Sequence, residues 1–257
     1  MVGWTHPLLI VYAFVLGAVV GSFLNVVIYR VPRRLSIVKP RSACPTCATP
    51  IAWYDNLPII SWLILGGRCR QCRSPITVRY PMVEAMGGAL AAFGVGLYGV
   101  NLVTVEVVVF AWVSLALALI DLEHQILPDV MTYPAIVFGL VLSFIGGFTT
   151  FADSVAGAVV GAILPTSVIL LYRWLRGIDG MGWGDVKYLA AIGAVVGLQG
   201  CLMVLVMAAV FGALVGGALI ALGRGTGKTA LPFGTFLALA VIVWLYLPPS
   251  WRLLSPL

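Results

Sequence analysis

Apolar residues run almost unbroken along this chain, and its polar positions fall mainly between the runs. Eight runs stand out, at about 7–28, 82–100, 102–120, 130–148, 154–172, 186–198, 201–222 and 230–247. About 20 helical residues cross the roughly 30 Å hydrocarbon core of a bilayer. The pattern therefore predicts an all-α polytopic membrane protein with about eight transmembrane helices. The first run has no basic region before it and no A-x-A site after it, so it reads as a retained helix rather than a cleaved signal. The sixth run is short, with thirteen residues from Val186 to Leu198, or roughly 20 Å of helix. Either it continues into the seventh run through Gly197 and Gly200, or its polar end is recessed below the headgroups. The junctions Gly99–Asn101 and Gly197–Gly200 suit tight turns.

Composition agrees with the pattern. The 257 residues are 61% hydrophobic and 9% charged, whereas a soluble domain is about a quarter charged. The net charge of +6 does not indicate a nucleic-acid partner, because of where the charge lies. Nine of the fifteen Lys and Arg fall between Arg30 and Arg79. Arg173, Arg176 and Lys187 flank a glycine loop, Arg224 and Lys228 share a later loop, and Arg252 stands apart. With both termini outside, all of these except Arg252 are cytoplasmic, as the positive-inside rule requires. The partner implied is the lipid bilayer, with some attraction to anionic headgroups. Charge also favours the recessed sixth helix, since a continuous one would put Arg224 and Lys228 outside. Glycines inside the runs, such as Gly212, Gly216 and Gly217, read as close helix packing.

The segment 30–81 is the one sizeable soluble piece, rich in Pro, Arg and Cys. Cys44-Pro-Thr-Cys47 and Cys69-Arg-Gln-Cys72 are two C-x-x-C knuckles separated by twenty-one residues. Four thiolates at this spacing suit a tetrahedral zinc site, and Arg41, Arg68, Arg70 and Arg73 would favour the thiolate form. So small a segment has little core, and a metal would contribute its folding free energy. The competing readings are a redox C-x-x-C, which lacks a thioredoxin-like context, and disulfides, which a cytoplasmic loop disfavours. Cys201 reads as a buried small apolar residue.

Five of the nine acids, Asp121, Glu123, Asp129, Asp179 and Asp185, lie in the two junctions around the third to sixth runs. Asp121 ends one apolar run, and Gly180-Met181-Gly182-Trp183-Gly184-Asp185 delivers a second carboxylate to the start of another. A charge at such a place is costly, because hydrocarbon cannot solvate it. Two close carboxylates share one proton, since both cannot ionise cheaply. One then serves as base on water while the other acts as acid on a carbonyl, which is amide hydrolysis. Gly180, Gly182 and Gly184 let backbone approach closely. The bland alternative is that Asp121 and Asp185 merely end or cap helices, Asp185 and Asp129 standing at good N-cap positions. His124 reads as a solvated loop histidine. Lys187 reads as a snorkelling cation, with Asp185 or a lipid phosphate as other partners.

The motifs resemble those of bacterial type IV prepilin peptidases, in order and over about residues 17–240. They are Gly21-Ser22-Phe23-Leu24-Asn25-Val26-Val27-Ile28-Tyr29-Arg30, the two cysteine knuckles and Arg79-Tyr80-Pro81-x-Val83-Glu84. Ile120-Asp121-Leu122-Glu123-His124-x-x-Leu127-Pro128-Asp129 and Gly182-Trp183-Gly184-Asp185-x-Lys187 follow. The resemblance implies a GxGD-type aspartic endopeptidase of the bacterial inner membrane that removes the leader of prepilins or pseudopilins at the cytoplasmic face. It implies N-methylation of the new terminus with S-adenosylmethionine as well. Asp121 and Asp185 carry over as catalytic, with Gly182, Gly184, Lys187 and Asp129 supporting. The four cysteines carry over as zinc ligands, and Gly67 matches a glycine tied to methylation. No Rossmann-type fingerprint is present. Asn25 and Glu84 are the other polar candidates for a cofactor, with helix packing as their alternative role. The implied organisation is a first helix at 1–29, a zinc-ribbon-like cytoplasmic insertion at 30–81 and a seven-helix peptidase domain at 82–257. A non-enzymatic scaffold that docks partners through the cysteine loop is the competing function. A transporter ranks below both, because the ionisable residues sit at helix ends rather than deep within spans.

Overall fold

The computed structural model describes residues 7–177, 181–224 and 231–248. Asp179, Gly180, Lys228, Arg252 and both termini lie outside these, so expectations placed on them have no structural account. The described residues are helical, with no strand beyond two isolated bridges. Helices α1 (Pro7–Arg30), α2 (Ile60–Ile64), α3 (Arg79–Tyr98), α4 (Leu102–His124), α5 (Asp129–Phe144), α6 (Phe151–Arg176), α7 (Trp183–Ala221) and α8 (Phe233–Tyr246) follow in order. Among them α1, α3, α4, α6 and α7 are long and apolar enough to cross a membrane, and α5 and α8 are shorter apolar helices. The protein is thus an all-α, multi-pass membrane protein, as the pattern predicted.

The chain divides into two compact units, one ending at Val100 and the other beginning at Asn101. In the first unit α1 and α3 pack through small residues. A Cβ at Gly21 would lie 2.7 Å from the Glu84 Cα, and one at Gly87 would lie 3.0 Å from the Gly21 Cα. Nothing larger than hydrogen fits between these backbones, so van der Waals contact replaces a hydrophobic driving force that lipid does not supply. Between α1 and α3 lies the cysteine segment, with a 3-10 turn at Trp53–Asn56 and the short α2.

In the second unit α7 is two limbs rather than one rod. Gly197 has φ 76° and ψ −179°, which no helix contains. Cys201 Sγ comes within 3.8 Å of the Leu189 carbonyl twelve residues back, whereas a straight helix would separate them by about 18 Å. The chain therefore reverses at Gly197, and the sixth and seventh runs are separate helices. The reversal frees the Leu198 N–H, and Asp153 accepts it at 3.1 Å. Asp153 is held in turn by Thr149 Oγ1 at 2.9 Å. A carboxylate at this end of α6 is therefore a cap for a broken helix. Gly157 and Gly161 on α6 face Gly193 and Leu189 on the first limb, again backbone to backbone. Of the other glycines expected to pack closely, Gly212 meets Phe236 and Gly216 meets Leu231, while Gly217 faces open space.

Candidate active site

Asp121 lies in the last turn of α4, and Asp185 lies in the first turn of α7. Both are buried, at 5% and 8% exposure. Together they line a cavity of about 280 Å³, with Gln125, Leu127, Asp129 and Lys187 around them. Residues 64 positions apart thus share one pocket. Neither Asp185 nor Asp129 is itself an N-cap residue. The N-cap of α7 is Gly182, and Asp185 stands three residues inside the helix, where its carboxylate accepts the Gly182 N–H. Asp129 likewise follows the N-cap Pro128. At the end of α4 the carbonyl of Asp121, not its carboxylate, takes the closing hydrogen bond, from Gln125 N–H at 2.8 Å.

Leu127, in the wall of the pocket, is buried at 8% exposure. A Cβ at Gly184 would lie 3.0 Å from the Leu127 Cβ, and one at Gly234 would lie 2.8 Å from Leu127 Cδ1. Leu127 therefore fills the space between the α7 loop and the start of α8. The Gly234 Cβ would also lie 3.0 Å from Asp121 Oδ2, and a Cβ at Gly182 would lie 3.2 Å from Asp185 Oδ2. Each glycine is thus explained by a contact: Gly182 makes room for the Asp185 carboxylate, and Gly184 makes room for Leu127.

The Asp121 carboxylate has partners on α8. Thr235 N–H donates to Oδ2 at 2.7 Å, and Thr235 Oγ1 lies 3.2 Å from the same oxygen. Sequence reasoning missed both Thr235 and Gly234. The available signal was a Pro-Phe-Gly-Thr start to the last apolar run, where Thr235 is the one Ser or Thr between 231 and 247. Lys187 donates to Asp129 Oδ1 at 2.6 Å and stands 5.3 Å from the Tyr133 ring centroid. Its partner is therefore Asp129 across the pocket mouth, neither Asp185 nor water alone. His124 is half-buried beside Glu123, 4.0 Å from its carboxylate, rather than freely solvated.

In the other unit the four thiols of Cys44, Cys47, Cys69 and Cys72 lie within 4.8 Å of one another. A tetrahedral zinc with 2.3 Å bonds holds its sulfurs about 3.8 Å apart, and Cys44 and Cys72 are 3.7 Å apart. The donor set and its spacing fit zinc. Each knuckle closes the same way: Ala48 N–H donates to the Cys44 carbonyl at 2.9 Å, and Arg73 N–H donates to the Cys69 carbonyl at 3.0 Å. The amide of Cys47, then the Ser74 hydroxyl, then the amide of Thr46 pull the Cys44 thiol down to about 5. Arginine charge, which the sequence suggested as the cause, is not among the causes. Arg70 is instead paired with Asp55 at 2.6 Å and holds that carboxyl below its usual range.

The three cofactor candidates all make structural contacts. Asn25 Nδ2 donates to the Tyr80 carbonyl at 3.2 Å, while its Oδ1 is buried without a partner. Glu84 Oε2 accepts the Ile59 N–H at 2.7 Å. Gly67 adopts φ 66°, and a Cβ there would meet the Trp62 ring at 2.8 Å.

Comparison with known proteins places this geometry. The family model for the bacterial peptidase A24 N-terminal domain matches residues 15–97, and the model for the type IV leader peptidase family matches residues 108–217. A prepilin leader peptidase/N-methyltransferase of Burkholderia pseudomallei is 38% identical over 252 residues, covering 88% of this chain and 82% of the relative. The chain belongs to the type IV leader peptidase family. A relative of the same description from Aeromonas hydrophila is 37% identical over 251 residues, covering 88% of this chain and 87% of its own. One from Pseudomonas putida is 37% identical over 260 residues, with 91% and 90% covered. No solved structure matches the chain. Asp121 and Asp185 fall inside the leader peptidase match, and the four cysteines, Asn25 and Glu84 fall inside the N-terminal one.

Proposed function

We propose that this family member is an aspartic endopeptidase that removes the leader peptide of type IV prepilins or pseudopilins, with Asp121 and Asp185 as its catalytic pair. The observation that carries the reading is the one cavity lined by both carboxylates. The relatives' shared description supports the substrate class. The pair holds one proton between its members. The ionised carboxylate takes a proton from water as the water oxygen bonds to the scissile carbonyl carbon. The protonated carboxyl gives its proton to the carbonyl oxygen. As the C–N bond breaks, the first carboxyl passes its proton to the leaving amine, and the diol hydroxyl returns a proton to the second. Gly182 and Gly184 set the spacing of the loop, and the Lys187–Asp129 pair braces it against α5.

The same reading gives the chain an N-methyltransferase activity on the newly exposed amine, for which S-adenosylmethionine supplies the methyl group. Asn25 Oδ1, a buried acceptor without a partner, and the Glu84 carboxylate are the groups of the first unit suited to an amino group and a positive charge. Gly67 supports them by letting Trp62 pack on the loop. Cys44, Cys47, Cys69 and Cys72 would hold a zinc ion, which would contribute to the folding of segment 30–81. The charge distribution supports an inner-membrane protein with segment 30–81 and the aspartates facing the cytoplasm and both termini external. The test is a membrane assay on a prepilin. Asp121→Asn and Asp185→Asn each abolish leader removal while the protein accumulates normally, and full activity in either variant overturns the reading.

A further inference from the structure

Thr235 sits in the first turn of α8, 9% exposed, with three polar contacts on one side chain and amide. Its N–H reaches Asp121 Oδ2 at 2.7 Å, its Oγ1 lies 3.2 Å from the same oxygen, and that Oγ1 lies 3.1 Å from the Ala118 carbonyl. A hydroxyl has one hydrogen to give. When Asp121 is ionised, that hydrogen turns to Oδ2, which then accepts two donors. When Asp121 is protonated on Oδ2, the hydroxyl donates to Ala118 and accepts in return, but the amide N–H then faces a carboxyl proton. The amide cannot turn away, so Oδ2 stays an acceptor, and a proton on Asp121 could sit only on Oδ1, which would leave both bonds to a neutral acceptor. Hydrogen bonds to an ionised acceptor are about twice as strong as neutral ones. Asp185 has a single donor among the described residues, the Gly182 amide, against the two that Thr235 gives Asp121; Lys187 is paired with Asp129.

We infer that Thr235 is a positioning residue that holds Asp121 as the ionised member of the catalytic pair, anchoring Oδ2 and leaving Oδ1 for the water. This rests on the peptidase reading above and assigns its roles. Asp121 takes the proton of water, and Asp185 carries the proton given to the scissile carbonyl oxygen. On collapse Asp121 protonates the leaving amine, and the diol hydroxyl restores the proton of Asp185.

The experiment uses the full-length protein in proteoliposomes with a synthetic prepilin, measuring kcat and KM separately. Thr235→Val keeps the shape and the amide but removes the hydroxyl. It lowers kcat about tenfold to a hundredfold, the worth of one hydrogen bond to a charged group, and leaves KM within about twofold of wild type. Thr235→Ser restores kcat to within a few-fold. Thr235→Ala shows the same kcat loss should the valine variant fail to accumulate. Wild-type kcat in Thr235→Val or Thr235→Ala overturns the inference. So does a serine variant as damaged as the valine one, which would make the residue a packing element. Activity in Asp121→Asn would instead remove the peptidase reading itself.

Discussion

Gly234→Ala is the substitution that presses most directly on the candidate site. The added methyl would lie 3.0 Å from Asp121 Oδ2 and 2.8 Å from Leu127 Cδ1. Comfortable contacts of this kind lie near 3.5 Å, so the neighbours must yield by about half an ångström. Leu127 has a flexible end and can give way, but the Asp121 carboxylate is fixed by Thr235 and cannot move without loosening that bond. A misplacement of 1 Å at reacting atoms can cost about a hundredfold in rate, so half of that costs on the order of tenfold in kcat, or about 1.4 kcal/mol. Gly184→Ala is the control, because its methyl meets Leu127 at 3.0 Å and not a carboxylate. Leader cleavage in proteoliposomes reads kcat, and thermal unfolding in detergent reads packing. The expected pattern is a kcat loss in Gly234→Ala that exceeds any loss in Gly184→Ala, at comparable stability. Equal kcat in wild type and Gly234→Ala would refute the packing argument.

Other expectations follow from the same geometry. Asp153→Ala leaves the Leu198 N–H without its acceptor and lowers the stability of the purified protein by about 0.5–2 kcal/mol, whereas Asp153→Asn, which keeps an acceptor oxygen, costs less; denaturation in detergent decides. The Lys187–Asp129 pair is half open to solvent, so Lys187→Met and Asp129→Asn each change stability by less than about 1 kcal/mol, and the double variant equals either single one. Purified protein carries one zinc per chain, which Cys44→Ser or a strong chelator lowers. Backbone amides and Ser74 pull the Cys44 and Cys72 thiols down while the Cys69 thiol is raised, so zinc binding must displace protons from the four thiols and acid competes for the site. Metal content measured across a pH series therefore holds near neutrality and drops in acid; loss of zinc between pH 8 and 7 would contradict this.

Much of the candidate site was legible because of where charge is expensive. Asp121 and Asp185 stand out as carboxylates at the edges of apolar runs, and the cysteines announce themselves by spacing. The break at Gly197 was legible as a choice between two helix models, and loop charge pointed to the correct one. Thr235, Gly234 and Leu127 were not legible. Thr235 lies 114 residues from Asp121, and one hydroxyl in an apolar run looks like any packed threonine. Leu127 looks like an ordinary apolar residue in a loop, and its role exists only once α7 and α8 are packed around it. The helix-cap alternative for Asp185 lay close to the observed register: Gly182 is the N-cap residue, and Asp185, three residues on, accepts its N–H. By contrast, nearby arginines looked like the cause of thiolate character, whereas amides of the knuckle itself perturb Cys44 and Arg70 is spent on Asp55.

The most direct measurement is mass spectrometry of the N-terminus of a pilin co-expressed with this protein. The account predicts a pilin lacking its leader and carrying one extra methyl group on the new amine, with the leader retained when Asp121→Asn or Asp185→Asn replaces the wild-type chain. An intact leader with the wild-type protein, or normal processing by either variant, would contradict it.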